Sequence, residues 1–465
     1  MEISLPNSPV ELKSFVQHLD KALLNLVIER AREYFKEILH EIDDLIAEQR
    51  GDEFCIEHLR EVWYQTCLGP VSVKRRQYRD KEGRYHYLLD EFLGMGKYRH
   101  VTTNVQQTVL ELATTMPYRR SAEVLRKVTA IDLPHQTIWR LLGKLADPYL
   151  EKADNEVKHF LDTGEISEGK GKQLSRLMVE ADGVILSLQR EKDRRAEVKV
   201  GIAYEGWEKV GKDRFKTVNK TIYSALAGED LFWAGMSLKL QEKYDLSRVR
   251  DTIVGGDGAR WVKNGADYIN GRFQLDRYHL NRELCFALGN DRETIGRMRQ
   301  ACDRGDVTSS LEILAEEKIR AKGEQAKRID RAYNYIKDNS AGIEDYRLKL
   351  GNEGKGLRRT GAMEGNVDKL VVRRMKNQGM SWSLKGIRRM LCMRFLFLEG
   401  KLENSLQATN NHDIKVELPR KKVRLIVKRA TTPDPTAWLK VGLPALSRSN
   451  PWVRTIRAIT NGPAF

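Results

Sequence analysis

Three acidic residues stand in contexts that suit a divalent cation: Asp182 within Val179-Glu180-Ala181-Asp182-Gly183-Val184, Asp257 within Gly255-Gly256-Asp257-Gly258-Ala259-Arg260-Trp261, and Glu364 within Gly361-Ala362-Met363-Glu364-Gly365-Asn366. Cleaving a phosphodiester needs a nucleophile deprotonated in place and a clamp on the charge growing on the phosphoryl oxygens. Two magnesium ions supply both. Magnesium takes oxygen ligands and keeps several waters, so a few carboxylates suffice. Taken singly, an Asp-Gly after a strand is turn chemistry, and a glutamate at a helix start is a dipole partner. Only the combination points to metal-dependent phosphoryl transfer. Asp276 and His279 add a second pair, three residues apart and so able to share one helix face. Here too a histidine satisfied by its neighbouring aspartate is the plain alternative.

The chain must bring these residues together from far apart. Leu177 to Leu188, Glu197 to Tyr204 and Thr221 to Ala227 read as strands. A helix over 230–245, a strand at Thr252 to Val254, a helix at Trp261 to Gly265 and a strand at Arg272 to Leu275 follow. This order predicts an α/β layer with a mixed sheet. Asp182 then lies on the first strand, on the same face as Glu180, and Asp257 at the carboxyl edge of a later one. Glycines 255, 256 and 258 would let backbone approach a phosphate. From about 278 to 350 the chain is charged and helical, an insertion ahead of Glu364. Trp261 and Trp382 are candidates to stack on an extruded base.

Upstream, apolar residues over 11–50 recur at helical spacing, predicting one or two amphipathic helices. A β-hairpin is expected from Gly69, turning at Asp80-Lys81-Glu82-Gly83. Residues 118–128 and a second helix opened by Pro134 have the layout of a helix-turn-helix. Its second helix would present His135, Gln136, Thr137, Trp139 and Arg140 to base edges, with Arg119 and Arg120 on phosphates. A packed helix pair with no DNA role is the alternative. The expected regions are therefore a helical 1–68, a hairpin and DNA-binding 69–162, a catalytic 173–400 with its insertion at about 280–355, and a tail at 401–465.

Composition narrows the function classes. With 465 residues and 41% hydrophobic content the chain can bury a large core. Its net charge of +16 falls almost wholly on residues 351–465, which hold 23 Lys/Arg against 8 Asp/Glu. A polyanion partner for that segment follows, with Arg373, Arg374, Lys421, Lys422, Arg424, Lys428 and Arg429 as the contacts. The five scattered cysteines suit reduced thiols in a cytoplasmic, DNA-associated protein. No apolar run approaches the roughly 18–20 residues a membrane span needs.

The segments Val-Glu-Ala-Asp-Gly-Val, Gly-Gly-Asp-Gly-Ala-Arg-Trp, Leu-Asp-Arg-Tyr-His-Leu and Gly-Ala-Met-Glu-Gly-Asn-Val-Asp resemble those of the ISLre-type insertion-sequence transposases. That family is similar to the mutator-like DDE group, and the resemblance runs from the hairpin near Gly69 to about residue 400. It implies a ribonuclease H-like catalytic domain that cleaves and joins DNA at the ends of a mobile element. Asp182, Asp257 and Glu364 would hold two Mg2+ ions, with Mn2+ able to substitute. Asp276 and His279 would correspond to an acidic-xx-His signature, and Glu353 competes with Glu364 for the third position. The implied partners are terminal inverted repeats and target DNA, bound by a homo-oligomer on paired ends. Two other readings share these features: a DNA-binding regulator without catalysis, and a nuclease that cuts without joining.

Overall fold

The computed structural model describes residues 9–95, 100–164, 171–377 and 379–410. The basic residues Lys421, Lys422, Arg424, Lys428 and Arg429 lie outside these. The chain divides into two compact units after Thr102. The first opens with a single helix, α1 (Pro9–Gln49), followed by β1 (Phe54–Thr66), β2 (Gly69–Asp80), the two-residue β3 (Tyr85–His86) and α2 (Leu88–Phe92). The expected hairpin is present as β2 and β3, turning at Asp80 to Gly83, and β1, which the sequence reading does not include, extends the sheet on the other side of β2. β1 escapes a period-two reading because its pairing slips at a bulge between Ile56 and His58 and because Leu59 and Trp63 face outward. Leu39 and Ile46 of α1 pack against Val62, Tyr64, Val71, Val73 and Tyr78 of this sheet.

The second unit starts with α3 (Thr103–Thr115), α4 (Tyr118–Val128) and α5 (His135–Thr163). The expected helix pair is present, and Pro134 caps the second helix without needing an N–H there. α5 runs far past Leu142, and along this extension Arg389 and Arg388 of a later helix bind its Asp147 and Asp154. This pair belongs to the sheet-bearing unit and not with the hairpin.

The sheet follows as β4 (Arg176–Leu188), β5 (Arg195–Tyr204), a ribbon of β6 (Trp207–Lys209) and β7 (Phe215–Thr217), β8 (Thr221–Ala225), α6 (Glu229–Gln241), β9 (Asp251–Gly256), α7 (Arg260–Tyr268) and β10 (Arg272–Leu275). Its order is β10-β9-β4-β5-β8: β5 and β8 are antiparallel neighbours, whereas β9 and β10 run parallel to β4. The α/β reading with a mixed sheet is therefore correct; the β6–β7 ribbon and a sixth strand around Trp382, parallel to β4, lie outside that reading. Leu177, Val179 and Ala181 on one face of β4 pack on Phe232, Trp233, Val262 and Ala266 of α6 and α7. The helical insertion comprises α8 (Arg277–Leu288), α9 (Arg292–Arg304), α10 (Val307–Arg320), α11 (Glu324–Asp338) and the short α12 (Tyr346–Lys349). It has its own core, from Leu280 and Leu284 to Ile329 and Ile336. The chain then returns across the sheet through α13 (Met363–Val367), a π-helical stretch (Asp368–Lys376), β11 (Ser381–Trp382), α14 (Leu384–Leu398) and α15 (Leu402–Asn410).

Candidate active site

The register of three parallel strands aligns the first acidic residues. Glu180 pairs with Gly255, and Gly255 and Gly256 pair with Gln274 and Leu275. Two residues beyond the first pairing come Asp182 and Asp257, and one residue beyond Leu275 comes Asp276. These aspartates are therefore level on adjacent parallel strands, Asp182 midway along β4, Asp257 just past the end of β9 and Asp276 just past the end of β10, with strands spaced about 4.8 Å apart. Strand alternation turns Asp182 to the face of Glu180, away from the Val179 and Ala181 core.

Electrostatics tie the set together. Burial pushes the Asp182 carboxyl up, and the charges of Asp257 and Asp276 push it further, against the Gly183 N–H at 2.7 Å and the charge of His279. His279 Nδ1 lies 2.8 Å from Asp276 Oδ2, while Asp276 Oδ1 caps α8 through the Tyr278 N–H at 3.2 Å. That hydrogen bond, reinforced by the charges of Asp276, Asp257 and Asp182, outweighs burial and raises the His279 pKa. The imidazolium is thus favoured by the fold at pH values below the ordinary histidine pKa of 6.5, and this contribution fades as pH rises through the raised value. Asp182→Asn and Asp257→Asn should each lower the His279 titration midpoint seen by NMR. An unmoved midpoint in both would show that these groups do not share one field.

Asp257 is held by its own turn: Oδ1 accepts from the Ala259 N–H at 2.9 Å, and its carbonyl accepts from Tyr335 Oη at 2.6 Å. The neighbouring glycines serve packing and not phosphate approach. A Cβ on Gly256 would meet Val262 Cγ1 at 2.4 Å and the Ala181 carbonyl at 2.9 Å, and one on Gly255 would crowd Glu180 and Thr360. Gly258 has φ +94°, a conformation that suits glycine.

Glu364 reaches the same face by a different device, one that pattern reading misses. Glu180, only 3% exposed, accepts from the Gly361, Ala362 and Met363 N–H groups at 2.9, 3.2 and 3.0 Å, and from the Tyr204 hydroxyl. It thus binds the orphan donors that open α13, the helix bearing Glu364. Burial pushes the Glu180 carboxyl up and all four donors oppose that. The Glu364 side chain is exposed and makes no hydrogen bond or ion pair with described residues. Glu353 does not compete for this place. It pairs with Arg250 and Arg176, and Arg176 is six residues before Asp182 on β4, roughly 20 Å away.

The structure therefore brings together Asp182, Asp257, Asp276 and His279 and sets the Glu364 helix on their face of the sheet. Among the described residues, no three His, Cys, Asp or Glu side chains stand close enough to cage a metal ion. The carboxylates are aligned without being closed into the compact trio expected from Asp182, Asp257 and Glu364.

The proposed DNA contacts separate into exposed and buried groups. Arg119, Arg120, Gln136, Trp139 and Arg140 are exposed, and His135 and Thr137 half-buried. Trp139 also lies under Arg389, 4.7 Å from its guanidinium. Arg373 is exposed and paired with Asp368. Arg374 is not a DNA contact in this fold. It is 2% exposed, donates to the Ala113 carbonyl at 2.8 Å and lies between the Tyr118 and Trp382 rings, and burial lowers its pKa to about 10. Nor do the two tryptophans offer a platform for a base: Trp382 is buried and donates to the Met375 carbonyl, and Trp261 packs edge-on against Phe232. All five cysteines are free thiols. No helix among the described residues is long and apolar enough to cross a membrane.

The model of an uncharacterised protein family, UPF0236, matches residues 12–411. A UPF0236 protein of Caldanaerobacter subterraneus subsp. tengcongensis is 26% identical over 437 residues, 92% of this chain and 89% of the relative. A second protein of that organism is 26% identical over 438 residues, 92% and 88% of the two chains, and its printed name joins eleven locus labels.

Proposed function

The chain belongs to the UPF0236 family, and on that premise we propose that it is a DNA transposase of the DDE kind, cleaving and joining strands at the ends of a mobile element by metal-dependent phosphoryl transfer. The observation that carries this reading is the level placement of Asp182, Asp257 and Asp276 on adjacent parallel strands, with His279 in their field. A sheet of three antiparallel strands followed by two parallel ones, with one carboxylate on the central strand and the next just past the fourth, supports a ribonuclease H-like assignment. The donor set suits a hard cation: oxygen ligands only, with an Asp182 carboxyl whose pKa burial raises and the charges of Asp257 and Asp276 raise further. Asp182, Asp257 and Glu364 would hold Mg2+ or Mn2+, which when bound would supply an activated nucleophile and charge neutralisation at the phosphate. Asp276 fixes the His279 ring, leaving Nε2 to bind the scissile phosphate. Glu180 keeps Glu364 on the correct face.

A relative whose name spans eleven loci of one strain is what an element that copies itself leaves behind. This favours transposition over a nuclease or a regulator. The test is to incubate the purified protein and Mg2+ with DNA containing the gene's flanking repeats: nicks at the repeat ends with strand joining are expected, and random nicking without joining would overturn the assignment. Base reading is placed on α5. Alanine at Gln136 and Arg140 should remove roughly 1–3 kcal/mol of preference for the correct repeat per lost contact. An equal loss on unrelated DNA, measured by competition binding, would refute it.

A further inference from the structure

The second unit carries a cavity of about 550 Å³ lined by five lysines: Lys220, Lys239, Lys243, Lys369 and Lys401. They come from four places in the chain, namely the turn before β8, the end of α6, the π-helical stretch and the α14–α15 junction. Glu242 and Glu399 are the only carboxylates in the lining, leaving three excess positive charges. Those two engage Lys239 and Lys401. The other three ammonium groups have no ion pair among the described residues. Lys220 reaches only the Asn366 side-chain oxygen at 2.6 Å, and Lys243 reaches the Asn219 carbonyl at 2.5 Å and Thr221 Oγ1 at 3.3 Å.

Gathering like charges in a half-enclosed space costs free energy unless an anion offsets it. Burial adds to that cost. Desolvation and then the charges of Lys369 and Lys216 lower the Lys220 pKa; desolvation lowers that of Lys243, with Lys172 and Lys401 adding to it against Glu205 and Glu399. We propose that this cavity is a binding site for a chain of phosphates, held through its oxygens by Lys220, Lys243 and Lys369. Three excess charges match three successive phosphates, and the volume exceeds what one phosphate would occupy. The lining holds no arginine fork for a bidentate carboxylate contact and no aromatic ring for a base. Recognition therefore rests on charge, and the source is either a nucleic-acid backbone or free polyphosphate. The lining includes Asn366, two residues past Glu364 on α13, but the proposal does not depend on the transposase reading.

The test uses the full chain in EDTA, with tripolyphosphate and a short oligothymidylate as probes. Binding of each is measured by calorimetry across a salt series for the wild type and for a Lys220→Gln/Lys243→Gln/Lys369→Gln variant whose unfolding midpoint matches wild type. A second variant, Lys220→Gln/Lys369→Gln, serves if the triple variant fails to fold. Tripolyphosphate affinity should fall roughly tenfold or more in either variant. Oligothymidylate binding should lose about 0.7 of salt slope per lysine removed. A loss confined to oligothymidylate identifies a backbone site, and one confined to tripolyphosphate a free-polyphosphate site. No binding of either probe by the wild type, or binding that the variants leave unchanged, would overturn the proposal.

Discussion

Asp257→Asn should lower strand cleavage at the element ends by at least about 10²–10³-fold, the scale seen when one preorganised transition-state contact is removed. It should do so with DNA binding intact. The amide keeps an oxygen that can still accept from the Ala259 N–H, so the turn holding residue 257 survives. What disappears is a negative charge level with Asp182 on β4 and with Asp276 just past β10. Loss of cleavage with an unchanged salt-dependent binding isotherm is the expected pair of results. Cleavage retained near the wild-type rate would remove Asp257 from the site.

The second large effect concerns folding. Glu180→Ala should destabilise the second unit by on the order of 3–5 kcal/mol, because it strands the Gly361, Ala362 and Met363 N–H groups and the Tyr204 hydroxyl in a buried place. Glu180→Gln should cost less, about 1–3 kcal/mol. Its carbonyl oxygen can serve some of the donors, but its NH2 group must then face another N–H. Urea denaturation gives the magnitudes, and amide exchange at residues 361–363 shows whether the α13 entry loosens. An unchanged midpoint in the alanine variant would mean that this clamp contributes nothing. Both variants should also impair cleavage through Glu364, although neither alters a proposed metal ligand.

The five main strands of the second unit and their sequence along the chain are legible because each apolar run is bounded by turn residues and long enough to show its period. That reading puts Asp182 on the first strand, Asp257 at the edge of a later one, and Glu364 on a helix packed across the sheet. The parts that were not legible depend on which distant residues meet. Glu180 was visible as sharing a face with Asp182, but nothing nearby in the chain reveals that residues 361–363 fill its oxygens. Arg374 has the local look of a phosphate contact, and only the meeting of Ala113, Tyr118 and Trp382 turns it into a core strut. The Gly255-Gly256 pair reads as a phosphate loop until Val262 and Ala181 are seen against it. β1 was hidden for a local reason, its bulge and its outward Leu59 and Trp63. In each case spacing specifies an element, whereas a side chain's role follows from its tertiary partners.

The raised Asp182 pKa means that its proton is bound more readily in the folded state than in the unfolded one. Its favourable contribution is therefore complete below the ordinary aspartate value of 3.8 and is lost as pH rises through the raised value. At neutral pH the buried Asp182 carboxylate works against the fold, and a bound cation would offset that penalty. The decisive measurement is a Mn2+ titration followed by electron paramagnetic resonance, on wild type and on Asp182→Asn, Asp257→Asn and Glu353→Gln. Saturable Mn2+ binding that Mg2+ displaces, lost in both aspartate variants and kept in Glu353→Gln, is the predicted result. Binding that survives both aspartate substitutions unchanged would contradict the metal-dependent site on which the whole reading stands.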